Sequence, residues 1–99
     1  MPQRPSLDSR IRPNTDALFQ ELQGEAVLLN LKTGIYFGLD STGTRVWQLL
    51  QEHERISNIV TAMMAEFEVT EERCQEDLLD FVAEMEMNGL LIVGLDLSK

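Results

Sequence analysis

The sequence predicts an α+β fold in which a small three-stranded antiparallel sheet is followed by a bundle of three helices. Between Ala17 and Gly38 the apolar residues come in short runs, broken at Gln23-Gly24 and Lys32-Thr33-Gly34, as in strands joined by tight turns. From Val46 to Met85 they recur instead every three or four positions, which is the helical period. Asp, Ser or Thr stands ahead of each helical stretch and Asn88-Gly89 closes the last, so starts and a stop are both marked.

In chain order, residues 1–14 hold all three prolines and three of the eight basic residues without a sustained period. They read as a loosely attached arm with a short strand around Ser9–Arg12, ahead of a single domain over residues 15–99. Ala17–Leu22 and Glu25–Leu31 form a hairpin. In its second strand Val27, Leu29 and Leu31 share one face, and Ala26, Leu28 and Asn30 share the other. Gly34 tolerates positive φ at the next turn, and the chain returns through Ile35-Tyr36-Phe37-Gly38, an edge strand.

Asp40 or Ser41 is expected to cap a first helix with Val46, Trp47, Leu49 and Leu50 on one side. Ser57 is expected to cap a second, with Ile56, Ile59, Val60, Met63 and Phe67 as its stripe. Thr70 caps a third, and Glu71 and Glu72 stand in its first turn, where the helix dipole favours negative charge. The third stripe is Cys74, Leu78, Phe81, Val82 and Met85. Leu90–Val93 suits a strand or an extended tail packed on the sheet.

A chain of 99 residues buries about 65% of the surface its unfolded form exposes, enough for one core and too little for a large internal cavity. No apolar run approaches a membrane span and the first ten residues have no apolar centre, so a cytoplasmic location is expected. One cysteine and one histidine exclude an internal disulfide and leave no cluster for a metal, and no cofactor is expected. Eight basic against seventeen acidic residues give a net charge of -9, which repels nucleic acid and anionic membranes. Strands with three helices also suit a winged-helix DNA reader. Here the third helix carries seven carboxylates between Glu71 and Glu86 against Arg73 alone, a poor match to phosphate.

No catalytic constellation stands out. Cys74 lies one turn into an acidic helix and reads as a small packing residue, and His53 reads as a solvated residue in a polar connector. The glycines form no phosphate-cradling motif. What remains is the edge at Gly34–Gly38. An aromatic edge strand needs a cover, and an extended peptide added as a further strand is one. The protein's own arm, or a second copy pairing edge to edge as a homodimer, is another.

The order Gly24-Glu25-Ala26-Val27-Leu28-Leu29, Thr33-Gly34-x-Tyr36-Phe37-x-Leu39-Asp40, Gly43-Thr44-x-Val46-Trp47-x-Leu49-Leu50 and Asp77-Leu78-x-x-Phe81-Val82-x-x-Met85-x-x-x-Gly89-Leu90-Leu91 resembles the PqqD family. These peptide chaperones, also called RiPP recognition elements, serve the biosynthesis of ribosomally made, modified peptides. The resemblance spans about residues 14–93 and implies a winged-helix-like fold. It implies no enzyme activity; the protein would bind the leader segment of a precursor peptide as an added strand and present it to a modifying enzyme, such as a leader peptidase, a cyclase or a radical enzyme.

Carried over by position, the peptide-binding residues are Gly34, Ile35, Tyr36, Phe37 and Gly38 on the strand. On the third helix they are Cys74, Asp77, Leu78, Phe81 and Met85. Periodicity leaves open which of these helix residues face the groove and which the core, because Leu79 and Ala83 make a second apolar row. A stand-alone form suits pyrroloquinoline quinone or lasso-peptide pathways. Phe37-Gly38-Leu39-Asp40 departs from the Trp-Gln-Leu-Asn common in lasso proteins, which leaves the pathway open.

Overall fold

A computed structural model describes residues 5–94. Strands β2 (Ala17–Leu22), β3 (Glu25–Asn30) and β4 (Tyr36–Leu39) form an antiparallel sheet in the order β2-β3-β4, so β4 is an edge as expected. Gln23 and Gly24 join β2 to β3 with φ of 57° and 84°, a two-residue turn whose left-handed positions match the twist of a hairpin. Of the two faces of β3, the one bearing Ala26, Leu28 and Asn30 is buried and covers the core. Leu31, expected within the strand, lies just beyond it and is exposed.

Helix α1 (Ser41–Leu50) starts where Asp40 accepts a hydrogen bond from the Gly43 amide at 2.8 Å. It buries Val46, Trp47, Leu49 and Leu50, and Trp47 stacks on Phe19 of β2 with ring centroids 6.4 Å apart. This contact pins the helix under the sheet. Helix α3 (Glu71–Met87) starts at Thr70, whose hydroxyl accepts from the Arg73 amide. It ends at Gly89, with φ of 74°; the Gly89 amide donates to Glu86 and the Leu90 amide to Met85, the paired bonds of a glycine-terminated helix.

Helix α2 (Ile56–Glu66) corrects one expectation. Ser57 does not cap it: the helix begins one residue earlier, and the N-cap Arg55 makes no side-chain capping bond. The first-turn amides are satisfied from far away in sequence, Ile56 donating to the Ser9 carbonyl and Ser57 to the Leu7 carbonyl. The stripe also ends early, since Phe67 is the C-cap and not part of the helix.

The same contacts account for the segment expected to be a loose arm. Strand β1 (Arg10–Pro13) pairs antiparallel with β5 (Leu91–Gly94), setting Ile11 opposite Val93, and Ile11 is buried in the core. Of the two alternatives for Leu90–Val93 the strand is the one formed, and it builds a separate two-stranded sheet with β1 instead of packing on the three-stranded one as a tail. Leu28, Trp47, Ile56, Ile59, Val82 and Leu90, the largest fully buried side chains, come from the sheet, all three helices and the connection to β5.

Candidate functional site

The backbone of β4 carries an open row of hydrogen-bonding groups. Asn30 donates its amide to the Ile35 carbonyl at 2.8 Å, and the register continues through Leu28–Phe37 and Ala26–Leu39. Antiparallel pairing alternates, so Phe37 and Leu39 turn their amides and carbonyls toward β3. Tyr36 and Gly38 turn theirs outward, to an edge with no strand partner among the described residues. Side chains alternate as well: Phe37 and Leu39 point to the core side, Tyr36 and Gly38 to the outer face.

Along this edge runs a groove of about 520 Å³. Phe37, Gly38 and Leu39 form one wall, and Cys74, Leu78, Phe81 and Met85 of α3 form the other. Val46 of α1, Met63 of α2 and the Phe67 and Val69 side chains of the α2–α3 connection also line it. Its acidic groups are Asp40, Asp77 and Glu84. The site is thus an apolar trough with carboxylates around it, beside a strand edge able to pair with a further backbone.

Two charged pairs lie beside the groove. Arg45 on α1 grips Glu66 at the end of α2 through Nε to Oε1 at 2.8 Å and Nη2 to Oε2 at 2.6 Å, a two-pronged pair. This hydrogen bonding holds the Glu66 carboxyl below the usual carboxylate range. Arg73 pairs with Asp77 one turn along α3 at 3.2 Å. The Cys74 thiol is pushed up, first by burial and then by the charges of Asp77 and Glu71. A thiol so placed keeps its proton at neutral pH and is a packing group, not a nucleophile.

The structure gathers Phe37, Gly38, Cys74, Asp77, Leu78, Phe81 and Met85 into one groove. Gly34, Ile35 and Tyr36 stand outside it. Gly34, with φ of 77°, and Ile35 belong to the turn before β4, while Tyr36 faces outward and is exposed. Phe81 resolves the ambiguity of α3 in both directions, being half-buried against the core and also a groove wall. His53 does not line the groove.

Periodicity missed Leu39, Val46, Met63, Phe67 and Val69, all of which reach the groove. A signal existed for Val69. It precedes the Thr70 cap and Cys74 is the fourth helical residue, the two positions of a hydrophobic staple. Phe67 had none, because its spacing continues the α2 stripe past the point where the helix stops.

The family described as coenzyme PQQ synthesis protein D (PqqD) matches residues 25–91. Among solved structures, TbiB1 in complex with the TbiA(beta) leader peptide is 39% identical, with a TM-score of 0.77 over 81% of this chain and 93% of that one. Lasso peptide synthetase B1 complexed with the leader peptide has a TM-score of 0.76 over 84% of this chain and 98% of that one, and at 20% identity it speaks to the fold. No curated protein sequence matches.

Proposed function

The chain belongs to the PqqD family, and from that premise we propose that it binds the leader segment of a ribosomally made precursor peptide. The leader adds as a strand along β4 and is presented to a modifying enzyme. The observation that carries this reading is the coincidence of an open strand edge at Tyr36 and Gly38 with an apolar groove walled by α3. Backbone pairing supplies affinity for an extended chain, and the trough takes one row of its alternate side chains. A leader like that of the relative at 39% identity, itself a complex with a leader peptide, is the favoured ligand.

No chemistry of its own is required of the protein. Holding a precursor close to its enzyme raises the effective concentration there, and the rate follows. The modifying partner is a leader peptidase, a cyclase or a radical enzyme. Affinity near micromolar corresponds to about 8 kcal/mol, within reach of a few strand bonds and two or three apolar anchors after the cost of ordering a flexible peptide.

Asp40, Asp77 and Glu84 around the trough, on a protein of net charge -9, favour a leader with basic residues beside its apolar anchors. Calorimetric titration with two versions of the TbiA(beta) leader, one carrying lysines and the other glutamates beside its apolar residues, at low and high salt, tests this. The basic-flanked version is expected to bind more tightly and to lose affinity as salt rises. Equal, salt-insensitive affinities would remove the electrostatic part of the reading.

A further inference from the structure

The outer face of the sheet is interrupted at one position. On it Val27 stands opposite Gly38 and Leu29 opposite Tyr36. Val27 is 42% and Tyr36 70% exposed. Neither ordinary reason for a glycine applies at residue 38: its φ is not in the left-handed region, and an added Cβ would meet nothing within 4 Å. Glycine inside a strand weakens it, and such a position often marks close approach by another chain.

The missing side chain leaves a notch above Val27 and beside Tyr36. It lies at a residue whose amide and carbonyl point to the open edge. A strand added there sets one residue opposite Gly38, with its side chain on this same outer face. We infer that the bound peptide carries a bulky apolar or aromatic residue at that position, laid across Gly38 against Val27 and Tyr36. This inference rests on strand addition to β4 and deepens it. Recognition is then two-faced: one row of peptide side chains enters the trough beside α3, and a residue of the opposite parity fills the notch. An apolar occupant is specified because the walls are a valine and an aromatic ring, which only an apolar surface removes from water with gain.

Gly38→Val fills the notch without altering the edge amides, and Gly38→Ala fills it in part. Both are expected to fold, since a β-branched or small side chain suits the strand and meets open space; thermal unfolding of each variant checks this. An alanine scan of the TbiA(beta) leader, read by fluorescence anisotropy against wild type and the two variants, tests the inference. One peptide position, out of phase with those entering the trough, should lose roughly fivefold in affinity for wild type on replacement by alanine. The same replacement should change affinity for Gly38→Val by less than about twofold and fall between for Gly38→Ala. Costs that are the same for all three proteins at every position would overturn the notch while leaving strand addition intact. A wild-type protein that binds no version of the peptide would overturn strand addition, and the notch with it.

Discussion

Asn30 is a buried amide that joins the two walls of the groove. Its Oδ1 accepts from the Lys32 amide at 2.9 Å and the Thr33 amide at 3.2 Å, closing the turn into β4, and its Nδ2 donates to the Asn88 carbonyl at 3.0 Å at the end of α3. The fit is close, because a Cβ on Gly89 would stand 2.8 Å from that Nδ2. Sequence pattern placed Asn30 on the face shared with Ala26 and Leu28 but gave it no task, since its partners are backbone groups up to 58 residues away. Asn30→Ala removes the partner of the Lys32 and Thr33 amides and of the Asn88 carbonyl and opens space at a buried site, and is expected to cost about 2 kcal/mol in urea unfolding. Cys74 illustrates the reverse case, a residue whose packing role was legible from its place on a helical stripe. Its thiol holds its proton more tightly in the folded chain than in the unfolded one. The associated stability is complete below the ordinary thiol range, near pH 8.5, and declines as pH rises through it. Unfolding midpoints measured from pH 7 to 10 should therefore fall more steeply for wild type than for Cys74→Ala.

At the scale of elements, legibility followed the range of the interactions. Helix α3 was readable from end to end because its signals are local: the Thr70 cap, Glu71 and Glu72 in the first turn, and the glycine stop. Thr70→Ala should cost about 1 kcal/mol and speed hydrogen exchange at the Arg73 amide, which is the bond removed. The start of α2 was misplaced for the opposite reason. The carbonyls that satisfy its amides belong to Leu7 and Ser9, and no local pattern records a partner so distant. The short strand expected around Ser9–Arg12 is β1, Arg10–Pro13, but its attachment to the domain was misread because the pairing with β5 joins residues about 80 apart and leaves no local pattern. The edge character of β4 could be read, because strand order follows from two consecutive hairpins. The breadth of the groove could not, because Met63 and Phe67 reach it only after α2 and α3 pack.

For the molecule as a whole, each part of the site depends on the arrangement of the others. The sheet sets β4 at the rim, Trp47 against Phe19 and the Arg45–Glu66 pair fix α1 and α2, and Asn30 ties the sheet to the end of α3. A trough of about 520 Å³ remains between them, open toward the edge that a peptide backbone can join. The central claim is strand addition at that edge, and an amide chemical-shift titration of the labelled full chain with the TbiA(beta) leader tests it most directly. Saturable shifts are expected at Tyr36 and Gly38 and along Cys74–Met85, with the Tyr36 and Gly38 amides becoming protected from exchange only when peptide is present. Binding that leaves β4 unshifted, or Tyr36 and Gly38 amides already protected in a dimer without peptide, would contradict it.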